Sequence, residues 1–548
     1  MADPTDPPES APPSQNKVEN QSVVKAAGLI GSATFLSRIL GFIRDIVLAR
    51  LFGATPAADA FFIAYRIPNL LRELFAEGSM SSAFIPVFTE YRTRRSDRDA
   101  WELASAVFTT LLTLVTLITI LGIVAAPAIV WVLAPGFHES AEKLTTATVL
   151  TRVMFPYLVF ISLASLAMGI LNSMRAFAAP ALSPVFFNVF VIACALFVSP
   201  LLPDPIVGVA IGVVAGGAAQ FAMQLPGLAF RKMLFGFRFQ PGHPGVRQIG
   251  VLMVPTLVGL SVTQVNITIG TMLASYFEGG PTYLFYGMRL VQFPLGIFGV
   301  ALATAILPTL ATQAAAGAVE ELRRTLGFGL RMILFIIIPA MLGLMLLCGP
   351  IVHLFFEHGS FTADDTHGTA AAVFYYALGL WAFAGVRIIV AAFYAVQDTK
   401  TPALAAVSAV ACNLILSLIL MGPLGHGGLA LATALAAMVN ISILVAVLNT
   451  RLGGVDWGSI GRSALRVGVA AVPVVLACVW VEGLAVWGRA DEWIAKAVML
   501  TVGIGLSVTG YVGIHALLRS EELEVLWGML KEKFGGGARG DGRSVNGQ

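Results

Sequence analysis

The chain has 548 residues, 57% of them hydrophobic and only 12% charged, with a mean hydropathy of +0.84. Soluble domains carry about 25% charged residues, so a soluble protein is excluded and a polytopic membrane protein is implied. The net charge of +3 and the lack of a basic tract with interleaved aromatics exclude a nucleic-acid binder. Cys194, Cys348, Cys412 and Cys478 stand alone in apolar runs, with no C-x-x-C pair to hold a metal or a redox couple.

Residues 1–25 are polar and proline-rich, without the apolar core and small-residue cleavage site of a signal peptide, and read as a disordered tail. Apolar runs of about 20 residues then predict fourteen spans. They lie near 26–52, 57–91, 101–133, 146–172, 181–199, 206–230, 248–277, 282–311, 326–354, 368–396, 402–421, 426–450, 463–482 and 493–518. With the N-terminus cytoplasmic, the inside loops hold fourteen Lys and Arg residues and the outside loops two, Lys143 and Arg489. That bias predicts both termini on the cytoplasmic side. Residues 519–548 read as a short amphipathic surface helix followed by a disordered end.

The first two spans carry Arg38, Arg44, Asp45, Asp59, Arg66, Arg72, Glu73 and Glu77. An ionised group at bilayer depth costs at least about 2.5–3.5 kcal/mol, so such a group has to face a wet cavity or a partner. Arg38 and Asp45, seven residues apart, share a helix face, while Arg44 points about 120° away. Asp59, Arg66 and Glu73 also recur every seven residues, as a structural charge ladder would. Arg66, Glu73 and Glu77 are therefore read as structural pairs or as part of the cytoplasmic rim. Arg387 in the tenth span is a further arginine within the apolar sequence.

The chain repeats itself. Ala83-Phe84-Ile85-Pro86 resembles Ala305-Ile306-Leu307-Pro308, and Pro180-Ala181-Leu182 recurs as Pro402-Ala403-Leu404 at the same spacing. Arg66 with Arg289, and Gly208 with Gly428, recur at nearly that spacing. Six predicted spans separate the copies, so both insert in the same orientation. The expected fold is all-α: two parallel six-helix lobes at 26–231 and 247–451 around a central cavity, with two extra C-terminal spans at 463–518. The second copy has Thr263, Gln264 and Asn266 where the first has charges, which makes the expected cavity cationic and weighted toward the first lobe.

A guanidinium is permanently charged and matches phosphate oxygens bidentately. Converging arginines therefore suit a diphosphate-bearing substrate. No phosphate-binding G-x-x-x-x-G-K-[ST] loop exists, so no ATPase is encoded. His138, His353, His358 and His367 are scattered in or near outside loops, and no metal is expected. The acidic outside loop 355–367 is left open as a cap or a plain connection.

Five stretches carry a family resemblance: SRILGFIRD (37–45), ADAFFIAYRIPNLLRELFAEG (58–78), AFIPVF (83–88), QFPLGIFGVALATAILP (292–308) and GSFTADDT (359–366). Together they resemble the MurJ (MviN) family of lipid II flippases, within the multidrug/oligosaccharidyl-lipid/polysaccharide exporter superfamily. The resemblance implies fourteen spans, a V of two lobes, a cationic cavity and a lipid-tail groove formed with the last two spans. It implies substrate contact by Ser37, Arg38, Arg44, Arg72 and Arg289, with Asp45 and Asp59 supporting or coupling. Some members have an arginine at the position of Glu73, or an acid at that of Met288. Some bind sodium through an aspartate in the seventh span, where 261–276 here has no acid. The expected activity is movement of undecaprenyl-diphosphate-linked disaccharide-pentapeptide from inner to outer leaflet, for peptidoglycan synthesis. No cofactor is expected, and coupling is left between membrane potential and a monovalent cation. Lipid II and membrane lipids are the expected partners, with other cell-wall synthesis proteins. The alternatives are an exporter of drugs or of another polyprenyl-linked glycan, and a non-transporting scaffold of cell-wall synthesis.

Overall fold

A backbone in lipid must satisfy its own hydrogen bonds, and an α-helix does so within a single segment. The computed structural model describes residues 15–74, 80–233, 235–488 and 492–535, and among these every regular element is helical. The chain begins with α1 (Gln15–Phe52), α2 (Pro56–Arg72), α3 (Met80–Arg94), α4 (Asp97–Leu133), α5 (Ala141–Met154) and α6 (Tyr157–Ser173). It continues through α7 (Ala178–Ala193), α8 (Ile206–Ala222), α9 (Leu225–Ala229), α10 (Pro244–Ala274), α11 (Gly280–Pro294) and α12 (Val300–Ala315). Then follow α13 (Val319–Leu346), α14 (Cys348–Phe356), α15 (Ala363–Leu378), α16 (Leu380–Ala395), α17 (Lys400–Leu424) and α18 (His426–Leu452). The last four are α19 (Trp457–Ala470), α20 (Val472–Glu482), α21 (Trp493–Leu517) and α22 (Glu521–Gly535).

Among the described residues ten helices are long and apolar enough to cross a membrane, or twelve if each of two bent pairs is one span. The chain is thus an all-helical, multi-pass membrane protein. The two further spans expected from sequence, at α1 and at α2 with α3, are the ones that carry the charges. Glu77, between α2 and α3, lies outside the described residues. Residues 15–25, expected in the disordered tail, belong to α1: the prolines of the tail end at Pro13, and nothing beyond them interrupts a helix. Residues 1–14 and 536–548, the remainder of the two expected tails, lie outside the described residues.

Two compact units form, and they interleave along the chain. The first holds residues up to Leu48, Ala64–Ile129 and Thr145–Leu260; the second holds Ala49–Ile63, Val130–Leu144 and everything from Ser261. This differs from the boundary at 231–247 expected from the repeat. Two short pieces of the first half belong to the second unit, held there by the hydrogen bonds described below.

The repeat recurs inside each unit as packing. In the first, α3 packs on α6, α6 on α8, and α7 along α8; in the second, α12 packs on α16, α16 on α18, and α17 along α18. Helices α7 and α17 start at Ala178 and Lys400, at the spacing of the sequence repeat. The turns before them each hold a non-glycine residue in the left-handed region, Arg175 (φ 58°) and Gln397 (φ 59°), again at that spacing.

Without a hydrophobic drive inside lipid, helices associate through close backbone approach at small residues. On α8, Gly208, Gly212 and Gly216 follow one another at spacing four. A Cβ at Gly208 would sit 2.6 Å from Ser199 Cα, one at Gly212 2.9 Å from Cys194 Cβ, and one at Gly216 3.0 Å from Phe187 O. The second unit has Gly428, Ala432 and Ala436 at the equivalent positions of α18, with both alanines buried. Elsewhere the first unit's core is large and apolar. Phe84 and Phe88 stack 5.2 Å apart among Leu103, Leu158, Leu166 and Ile170. Gly212→Leu should separate α7 from α8 and cost about 1–3 kcal/mol of overpacking. A lowered Tm of the purified protein in detergent checks this, and an unchanged Tm would refute the close-approach argument.

Candidate functional site

In the first unit, Asp45 and Asn188 hold Arg44. Its Nε and Nη2 donate to Asp45 Oδ1 at 3.0 and 2.7 Å, and its Nη1 donates to Asn188 Oδ1 at 3.3 Å. Asn188, buried on α7, donates its amide to the carbonyls of Ser37 and Pro184, both at 3.2 Å. Asp45 is fully buried, whereas 12% of the Arg44 side chain is exposed. A buried carboxylate is tolerated when a cation and hydrogen bonds satisfy it. The guanidinium is therefore fixed in orientation by Asp45 and Asn188.

Arg38 and Asp45 share a helical register, but their surroundings differ. Asp45 turns into the packed side and takes Arg44, while Arg38 is exposed and has no hydrogen-bond or ion-pair partner among the described residues. Ser37 contributes its carbonyl to Asn188. Arg72 donates from Nε to Asn69 Oδ1 at 3.1 Å, and its Nη2 lies 3.7 Å from Glu73 Oε1, which also accepts from Asn69 Nδ2 at 2.9 Å. Glu73 is thus tied to its own helical turn. The predicted ladder of Asp59, Arg66 and Glu73 does not form as such, because Asp59 is turned to other partners in the second unit.

There, Asp59 is fully buried at the start of α2 and caps another helix. Its Oδ2 accepts from the Gly279 N–H at 2.8 Å; its Oδ1 accepts from Thr282 Oγ1 at 2.7 Å and Thr282 N–H at 3.3 Å. Gly279, in the left-handed region at φ 69°, has no side chain to cap α11 itself. The carboxylate supplies the missing acceptor at the positive end of the helix, and Lys143 Nζ approaches it at 3.7 Å. Arg289 lies further along the same helix, half-buried. Phe62 stacks on Phe285 at 4.3 Å beside this cap.

A second carboxylate, Asp365 on α15, secures the turn between α1 and α2. It accepts from the Thr362 N–H at 2.9 Å, Tyr283 Oη at 3.1 Å and the Ala54 N–H at 3.4 Å. Ser360 donates to the last carbonyls of α1, from N–H to Arg50 O at 2.9 Å and from Oγ to Leu51 O at 3.0 Å. The loop left open at 355–367 is thus a clamp on the end of α1. Asn188, Lys143, Thr282 and Asp365 were not singled out from sequence. Only Asp365 carried a signal, as part of GSFTADDT.

The charge asymmetry between copies has a geometric counterpart. Arg44 and Asn266 stand at the repeat spacing, and each is met by a buried asparagine. Arg44 is met by Asn188 of α7; Asn266 Oδ1 accepts from Asn413 Nδ2 of α17 at 2.7 Å. A similar polar contact between helices is built in each copy, with a cation in only one; the two asparagines lie 225 residues apart, off the repeat spacing.

A family model described as lipid II flippase MurJ matches residues 48–496. The chain belongs to the MurJ family. A Vibrio cholerae protein named probable lipid II flippase MurJ is 37% identical over 514 residues, covering 91% of this chain and 97% of its own length. A Burkholderia cenocepacia protein named lipid II flippase MurJ is 35% identical over 461 residues, covering 83% and 89%. The solved structure of lipid II flippase MurJ in an inward closed conformation superposes with a TM-score of 0.74 at 27% identity, covering 90% of this chain and all of the other. An inward-facing multidrug transporter of the MATE family shares the fold, with a TM-score of 0.66 at 14% identity, covering 76% and 94%. In this MurJ-family chain Ser37, Arg38, Arg44 and Asp45 precede the residues matched by the family model, so their assignment rests on motif and geometry. Asp59, Arg72, Arg289 and Asp365 lie within it.

Removing the buried acceptor at Asp59 leaves two N–H groups and a hydroxyl unpaired beside Lys143. Asp59→Ala should therefore cost about 3 kcal/mol, and Asp59→Asn, which keeps one acceptor, less. Thermal unfolding of the purified variants checks the order, and equal Tm values for wild type and Asp59→Ala would remove the cap from the argument.

Proposed function

We propose that this chain is a lipid II flippase, a transporter that moves undecaprenyl-diphosphate-linked disaccharide-pentapeptide from the inner to the outer leaflet for peptidoglycan synthesis. The observation that carries the reading is the 37% identity to a named relative over nearly all of that relative's length. The oriented guanidinium of Arg44 adds the chemistry a diphosphate needs. In this reading the protein has fourteen spans in the bacterial inner membrane, with both termini cytoplasmic. It has two parallel six-helix lobes, and the last two spans flank the lipid tail. Arg38, Arg44, Arg72 and Arg289 contact the anionic head group, with Ser37 beside them. Asp45 acts on the substrate only through Arg44, as a positioning residue.

Alternating access then has a defined cost. The Asp59 cap and the Asp365 clamp lie at the α1–α2 turn, the outer side in this orientation. An opening that draws these helix ends away from α11 and α15 breaks charge-assisted hydrogen bonds worth about 1.5–3 kcal/mol each. Substrate can drive the change only through a difference in affinity between the two states. A membrane potential positive outside opposes outward movement of a bare anion by about 2.3 kcal/mol per charge per 100 mV. With arginines neutralising the diphosphate, the loaded step loses that penalty, and inward return of the empty cationic site is favoured.

Two measurements test this. In cells depleted of the wild-type protein, exposure of lipid II to an outside-acting lipase should return with the wild-type gene. It should fall by about tenfold or more with Arg44→Ala or Arg289→Ala at equal membrane levels, the order expected for losing a charge-assisted contact. Full exposure with both variants would reject the arginines as substrate contacts. In vesicles, collapsing an inside-negative potential should slow flipping, and an unchanged rate would reject coupling to the potential.

A further inference from the structure

We infer that the second unit carries a binding site for a phosphate group, between the α14–α15 loop and the start of α21, built around Lys496. Lys496 lies in the first turn of α21 and is only 4% exposed. A buried ammonium is costly unless its donors are satisfied. Its Nζ lies 2.7 Å from His353 Nε2, and His353 Nδ1 lies 2.7 Å from Glu357 Oε2. That oxygen also accepts from Thr366 Oγ1 at 2.6 Å. With Nε2 accepting from the lysine, the ring proton sits on Nδ1 and points to Glu357. Lysine and glutamate are thereby linked through a neutral imidazole and do not meet directly. An ammonium has three donors, and among the described residues His353 is the one hydrogen-bond partner of the Lys496 Nζ. Two N–H groups are left for something else.

Beside them is a cavity of about 410 Å³, lined by Lys496, His353, Glu357, Trp487, Trp493 and Ala363 among others. That volume falls in the range of ligand sites. Two helices of 16 and 25 residues begin at its walls, α15 at Ala363 and α21 at Trp493. The start of α15 is already closed by its capping box, with the Thr362 N–H on Asp365, and Glu492 precedes α21, so the lysine supplies the positive charge that faces the cavity. Trp487 is fixed by donating Nε1–H to Val481 O at 2.7 Å, while Trp493 is 62% exposed at the rim. Tryptophan with a polar floor beneath it belongs at head-group level. A tetrahedral phosphate presents several acceptors to donors that approach from different directions, as the two remaining N–H groups of the lysine do here; a planar carboxylate offers fewer. The phosphate is that of a phospholipid head group or free phosphate, and the experiment separates them. Placement of the site on the outer leaflet rests on the orientation proposed above, but its chemistry does not.

Purified full-length protein in detergent is titrated with dihexanoyl phosphatidylglycerol, with dihexanoyl glycerol as the phosphate-free counterpart, and with inorganic phosphate, reading Tm. A rise with phosphatidylglycerol but not with dihexanoyl glycerol or phosphate assigns a lipid head group. A rise with inorganic phosphate assigns the free anion. In either case Lys496→Met should weaken the response by about tenfold or more, and Lys496→Arg should retain it. Ala363→Phe fills the cavity without touching the charges and should also abolish the response, which keeps the test decisive if Lys496→Met does not fold. No response in wild type, or equal responses in wild type, Lys496→Met and Ala363→Phe, overturns the site. Arg44→Ala should keep the Tm response while losing lipid II exposure, so failure of this site and failure of the flippase reading are told apart.

Discussion

An arginine within an apolar helix must face water or be held by other polar groups, and much of the first unit's chemistry follows from how Arg44 is held. Asp45 supplies the counter-charge from the next position on α1, and Asn188 reaches in from α7. Neither partner is apolar, and neither is free to drift: Asp45 is fully buried, and Asn188 is anchored to two carbonyls. A guanidinium fixed in this way keeps its charge while its orientation is set by the protein. That is the preorganisation an anion site needs, because the reorganisation cost is met when the chain folds and not when substrate arrives.

The second unit uses its carboxylates differently. Asp59 and Asp365 face backbone N–H groups and hydroxyls more than guanidinium groups, and each joins a segment of the first half of the chain to the second half. One acts as the N-cap of a helix distant in sequence, the other as the lock of a turn. Acids near bilayer depth can therefore be structural, functional or both. Asp59 was read as supporting or coupling, and its observed contacts are those of a latch between segments.

Duplication and divergence account for the asymmetry. The two copies preserve helix packing, the left-handed turns at Arg175 and Gln397, and the small residues at Gly208 and Gly428. Each copy also meets its member of the Arg44 and Asn266 pair with a buried asparagine, although Asn188 and Asn413 are not at equivalent positions. At that position one copy has a cation and the other a neutral amide, and each side chain finds a buried asparagine on a neighbouring helix.

The sequence by itself determined the class of the fold, the order of the apolar segments, the internal repeat and the arginines worth following. Those features are local or periodic, and lipid leaves the backbone almost no choice but helix. Helical register, however, misjudged the ladder through Asp59, because side-chain direction along one helix says nothing about what packs against it. Asn188 on Arg44, Thr282 on Asp59, Ala54 on Asp365 and His353 on Lys496 are all pairs far apart in the chain. Only tertiary packing decided which buried polar group would meet which, since each must find a partner somewhere and many lay within the sequence's reach.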